Sequence, residues 1–141
     1  TETNIPLYKI MEVLTVELFQ KTCAFYQDYY AKFRRQTVTP FVNLGQVYKK
    51  FAGEYQRLFE FIFLSSDQFE KSKYDIVNGS RGYVNKEIQA AKSQGCKDAS
   101  KLFMKMWIFI HGAACMSITG DYDLSETETL QVLKESYYSF K

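Results

Sequence analysis

The apolar positions of this chain recur at helical spacing from near its start to its end. Between Leu7 and Phe33 they form two adjoining stripes. One holds Met11, Leu14, Leu18, Phe25 and Tyr29; the other holds Val16, Phe19, Cys23, Tyr26 and Tyr30. At about 100° per residue the stripes merge into an arc of roughly 200°, with Lys9, Glu17, Gln20, Gln27 and Asp28 opposite. A helix apolar over so much of its circumference is expected to run through a domain rather than lie on it.

A second helix is predicted to start at Thr39-Pro40, where Thr39 caps and Pro40 has its φ preset for a first turn. Its stripe is Leu44, Val47, Tyr48, Phe51, Tyr55, Leu58, Phe59 and Ile62, with Lys49, Lys50, Glu54, Arg57 and Glu60 turned away. Gly53 falls on the polar side and marks a place where the helix can bend or break while keeping phase. Residues 65–80 are polar, with turn signals at Ser65-Ser66-Asp67 and Asn78-Gly79-Ser80 and room for a short helical piece over 68–77. A further helix is predicted over 81–94, closed by Gly95 as a left-handed cap. Another runs from near Asp98 to Gly120. The last opens on Ser125-Glu-Thr-Glu128, the spacing of a capping box, and continues with Leu130, Leu133, Tyr137 and Phe140. The fold class read from this pattern is all-α, a bundle of about six helices without internal repeats.

The helix from Asp98 carries the chain's only tryptophan and only histidine, Trp107 and His111, one turn apart on one face. Phe103, Trp107, Ile110, His111, Ala114 and Ile118 share that side, and Leu102, Met106, Phe109, Ala113, Met116 and Ser117 the adjoining one. Lys101, Lys105, Gly112 and Thr119 are left for water. A helix this apolar needs neighbours on several sides. One arrangement makes it the central core helix of a monomer. The other, favoured here, buries it against a second copy, the two C-terminal helices of each chain meeting about a two-fold axis as a four-helix interface. Phe109, Ala113, Met116, Ser117, Leu130, Leu133 and Tyr137 are the residues expected there.

Composition sharpens this picture in one respect. The chain has 141 residues, 46% of them hydrophobic and 24% charged, which suits one globular domain. Twelve Phe and eleven Tyr, however, imply a core or cavity lined largely by rings. A formal charge of +2 gives no nucleic-acid or acidic-membrane footprint. Cys23, Cys96 and Cys115 are odd in number and far apart, which favours reduced thiols and a cytoplasmic setting over a disulfide framework. The apolar run from Met106 to Ile118 is shorter than the roughly 18 residues of a membrane span, so no membrane partner is expected.

These residues resemble the C-terminal domain of tetracycline-repressor-type (TetR) transcription regulators, in the branch whose penultimate helix carries Trp-x-x-x-His-Gly. Here that motif is Trp107-Ile-Phe-Ile-His111-Gly112. Upstream, Tyr48-Lys-Lys-Phe51-Ala52-Gly-Glu-Tyr-Gln-Arg-Leu58-Phe59 resembles the branch's aromatic-Phe-Ala and Leu-Phe pattern, although Gln56 stands where the family often has a proline. The helix ending at Gln94-Gly95 and the capped last helix follow in the expected order. The resemblance covers about Thr39 to Phe140. It implies a regulatory domain that homodimerises and binds a small hydrophobic or aromatic effector. It also implies DNA contact only through a helix-turn-helix domain absent from this chain. Residues 1–36 then correspond to the connecting helix, and a first residue other than Met agrees with a preceding domain.

The resemblance places the effector among three helices, the long first one, the one from residue 40 and the Trp107 helix. Phe19, Cys23, Tyr26, Tyr48, Phe51, Tyr55, Phe59, Trp107 and His111 are the candidate lining residues; for each ring the alternative is plain core packing. His111 fits three roles: a structural histidine bonded to a carbonyl or tyrosine, a polar contact to effector, or, without visible partners, a metal ligand. Catalysis finds little support. A single histidine cannot build a di-iron site, no Cys or His spacing suits zinc, and neither a metal nor a cofactor is expected. A Cys115–His111 nucleophile and base would have to work inside a packed segment, where a cysteine is ordinarily an inert small hydrophobe. A purely structural dimerisation module with a filled core is the competing function.

Overall fold

The computed structural model describes residues 5–141, so the first four residues of the expected connecting helix lie outside it. The described chain is all-α, with seven helices and no strand. They are α1 (Leu7–Lys32), α2 (Val42–Glu54), α3 (Gln56–Phe59), α4 (Lys73–Asn78), α5 (Tyr83–Ser93), α6 (Ala99–Thr119) and α7 (Glu126–Phe140). Between α3 and α4 lie a π-helical turn, Glu60–Leu64, and a 3-10 turn, Ser66–Phe69.

The central helix is α2. Nine of its thirteen residues are buried, and it packs most extensively on α6, then on α7 and α1. Gly45 makes the close crossing: a Cβ there would sit 2.9 Å from Ile110 Cγ1 and 3.2 Å from Leu133 Cδ1. Only six of the 21 residues of α6 are buried. By length and composition α6 is the one helix among the described residues apolar enough to cross a membrane. In the bundle one side of it lies against α2, α5 and α7.

Helix ends follow local chemistry. The Asp98 side chain accepts from the Lys101 N–H at the start of α6, and Gly120 closes that helix at φ 82°. Gly95 takes φ 89° after α5. The Ser125–Glu128 capping box is fully formed, each side chain accepting from the other residue's backbone N–H. The start of α2 differs from expectation. Thr39 and Pro40 form a turn, no side-chain cap is made by Thr39, and Phe41 adopts a left-handed φ of 68° before Val42. That uncommon conformation is held from outside. Buried Glu87 on α5 accepts from the Phe41 N–H at 3.1 Å and pairs with Arg35 at 3.2 Å.

Two expectations for α1 and α2 are corrected. Only the Phe19–Cys23–Tyr26–Tyr30 stripe of α1 is buried; Leu7, Met11, Leu14 and Leu18 are each more than half exposed. The first three turns of α1 project beyond the body, because no other described element reaches their level. The predicted helix over 40–64 breaks at Tyr55, where φ −127° and ψ 56° end α2. The break thus falls two residues beyond Gly53, and the chain resumes as one α turn and one π turn.

Candidate functional site

Tyr48 stands at the middle of an aromatic cluster built from four segments. Its ring is 4.6 Å from Trp107, 4.7 Å from Phe63 and 5.0 Å from Phe59, centroid to centroid, all edge-on. Tyr26 of α1 joins through Phe63 at 5.0 Å and Phe51 at 4.9 Å. Phe103, Trp107 and His111 run along α6 as a stacked row. Such edge-to-face contacts suit the ring quadrupoles and add to the gain from burial. Tyr26, Tyr48, Phe51, Phe59 and Phe63 have no exposed surface. The region between α1, α2 and α6 is therefore filled by side chains.

One polar chain runs out of this cluster. The Tyr48 hydroxyl lies 2.8 Å from His111 Nδ1, and Cys115 Sγ lies 3.6 Å from Nε2. Burial pushes the Tyr48 hydroxyl well above its ordinary range, so it keeps its proton. Burial, helped by the charge of Lys73, pushes the His111 imidazole down, so it stays neutral at pH 7. Two pairings satisfy both groups: the Tyr48 O–H donates to Nδ1 with the imidazole proton on Nε2 facing the sulfur, or Nδ1–H donates to the Tyr48 oxygen. In the first of these Nε2 has no lone pair with which to take the thiol proton. The geometry matches the tyrosine-bonded role expected for His111. Cys115, although about 40° away on a helical wheel, is nevertheless brought into contact with the ring.

The other candidates divide. Phe19 and Cys23 lie apart from Tyr48. Phe19 stacks on Phe69 at 4.1 Å, and both line a depression with Val16, Gln20 and residues 68–71. Burial raises the Cys23 thiol, with Lys71 partly opposing. Tyr55 is 38% exposed and leans on Phe25, Tyr29 and Phe51 at the edge of the cluster, without reaching Tyr48. The helix break at Tyr55 is the reason: it rotates the side chain out of the α2 stripe.

Among the expected interface residues, Leu133 and Tyr137 are corrected. They are 2% and 0% exposed, packed inside their own bundle where α7 meets α2 and α6. Phe109 leans on Phe140 of α7, and Ala113, Ser117 and Leu130 are half-buried. The outward face of α6 is instead Met104, Ile108, Gly112 and Met116, with the three large side chains 54%, 68% and 47% exposed. Of the expected set only Met116 belongs to it fully. The helical wheel ranked the faces of α6 by residue type alone, which does not distinguish a side covered by α7 of the same chain from one left open.

Sequence reasoning missed Phe63 and the Glu87 clamp. Phe63 follows Phe59 by four residues, a spacing that puts both on one helical face. No sequence signal links Glu87 to Phe41, because a backbone N–H is anonymous in the sequence. Among the described residues no group of three His, Cys, Asp or Glu converges as a metal site. Compared with known proteins, the chain matches no family model, no curated protein and no solved structure at a significant level.

Proposed function

We propose that this chain is the effector-binding and dimerisation half of a TetR-like transcription regulator, working in the cytoplasm. The observation that carries the reading is the seating of Trp107 and His111, from the Trp-x-x-x-His-Gly helix, against Tyr48 of α2, with Tyr26 of α1 in the same ring cluster. An effector preferring one packing of α1, α2 and α6 would shift the direction of α1's projecting arm. The exposed apolar side chains of that arm would lie against a helix-turn-helix domain, the element through which DNA is reached. The outward face of α6, with α7 beside it, would meet a second copy.

The filled core also favours a second reading, a structural dimerisation module without ligand. Ligand binding separates the two. A panel of lipophilic aromatic compounds is expected to raise the Tm by about 8 °C at a hundredfold excess over Kd. No shift with any member, together with an intact dimer, would leave only the structural module. Sedimentation at low micromolar concentration should show a dimer for the native chain and a monomer for Ile108→Arg. A native monomer would remove the interface from both readings.

A further inference from the structure

Phe63 is the only ring that touches both Tyr26 and Tyr48 among the ring pairs of the described residues, at 5.0 and 4.7 Å. It reaches them from the least regular part of the fold. The Tyr55 break, the single turn of α3 and the π turn Glu60–Leu64 precede or contain it, and a 3-10 turn follows. Regular helices α1 and α2 supply the opposite walls, Tyr26, Tyr48 and Phe51. Single π turns are uncommon in helices and concentrate at functional sites. The plug is thus carried by a segment with short helical runs, and the walls by long ones.

Inside those walls the Tyr26 hydroxyl is fully enclosed and has no hydrogen-bond partner among the described residues. Enclosed hydroxyls are ordinarily paired, since leaving one unpaired forfeits its hydration without return. Tyr137 carries the other such hydroxyl, but it lies under α7 against Phe41, where no irregular segment supplies a plug. Burial drives the Tyr26 hydroxyl to hold its proton, so it has a hydrogen to offer an acceptor.

We propose that Phe63 occupies a binding site for a neutral aryl carbonyl compound, whose ring would take the place of the Phe63 ring and whose carbonyl oxygen would accept from the Tyr26 hydroxyl. This rests on the effector-binding reading above and names the chemistry of its ligand. A ring between Tyr26 and Tyr48 gains the same edge-to-face contacts that Phe63 makes now. A charged ligand is disfavoured, because no cationic side chain joins this ring cluster to compensate a buried carboxylate. Outward movement of residues 60–64 would withdraw the Phe63 ring from between Tyr26 and Tyr48.

The test titrates acetophenone and its apolar counterpart ethylbenzene into native protein, Tyr26→Phe and Phe63→Leu, by calorimetry and thermal shift. The native chain should prefer acetophenone by about tenfold, the worth of one hydrogen bond. Tyr26→Phe should reduce that preference to less than about twofold while the ligand-free Tm stays equal or rises, because the lost hydroxyl had no partner. Phe63→Leu should bind both compounds more tightly and keep the preference, and as a conservative change it remains folded. A preference that survives Tyr26→Phe, or a ligand-free Tm that falls by several degrees in that variant, overturns the proposal. Binding of both compounds without preference overturns it too, yet leaves the effector reading standing. Failure of the native chain, Phe63→Leu and the wider aromatic panel to bind anything removes both.

Discussion

The Tyr48 hydroxyl and His111 Nδ1 share a hydrogen bond across 2.8 Å, tying the central helix α2 to α6 at the only histidine of the chain. Protonation of the imidazole would force Nδ1 to donate and would place a charge in a half-buried site. The bond therefore makes α2–α6 packing sensitive to acid in a pH range where no other side chain of this protein ordinarily titrates.

The sign follows from the imidazole's downward shift in the folded state, caused by burial and by Lys73. The unfolded chain then binds more protons, so stability rises with pH through this range. It is fully present above the unfolded value near 6.5 and is lost as pH falls from there through the lower folded value. Thermal melts from pH 7.5 down to pH 5.5 should show a falling Tm that flattens in His111→Gln. An equal slope in that variant would assign the pH effect elsewhere.

Glu87→Ala removes the acceptor for the Phe41 N–H and the partner of Arg35. The guanidinium is 41% exposed and solvent-screened, so the orphaned backbone group dominates a loss of about 2–3 kcal/mol. Glu87→Gln keeps an acceptor oxygen and should lose no more than about 1 kcal/mol. Urea denaturation of the two variants decides between acceptor and charge.

Gly79 sits at φ 57°, ψ −168°, a region that essentially only glycine occupies. A Cβ there collides with the Gln27 carboxamide, whose Nε2 donates to the Ile76 and Val77 carbonyls at the end of α4. Gly79→Ala should cost about 3 kcal/mol from strain and the lost cap together, read as a lower urea midpoint. Gln27→Ala in the same background should then cost little more, since its bonds are already broken.

Gly45 and Gly53 share α2 and should respond in opposite directions to the same change. Alanine at either gains about 1 kcal/mol in helix propensity. At Gly53 nothing lies within 4 Å, so that gain stands and Tm should rise by a few degrees. At Gly45 the new methyl meets Ile110 and Leu133, and overpacking of about 1–3 kcal/mol outweighs the gain. Equal Tm shifts would show that the crossing of α2 over α6 and α7 is loose.

The elements legible in the sequence were those with local punctuation. Asp98, Gly120 and the Ser125–Glu128 box act within a turn of where they sit, and α6 and α7 accordingly begin and end where expected. The start of α2 was hidden because Glu87, far along the chain, holds Phe41 in place of a local cap. The arc of α1 was legible as apolar but not as exposed: periodicity gives which face avoids water, not whether this chain covers it. For the same reason Leu133 and Tyr137 could be placed on an apolar face, but α2 rather than a second copy is what packs there. Within the site, the Trp107–His111 spacing gave one wall, and Tyr48 came from its own stripe. Their meeting is a product of the Gly45 crossing, a long-range fact that no spacing encodes.

A π turn takes one more residue to close its hydrogen-bonded ring than an α turn. The stretch Glu60–Leu64 thus behaves as a single-residue insertion into helical phase. Removing one of its exposed or half-buried residues would let the backbone close as an α turn with all that follows in nearly the same phase, because the wider turn has already absorbed the extra residue. The π turn thus lets the chain carry one residue more than an α-helix would, without swinging its later aromatics off the face they share.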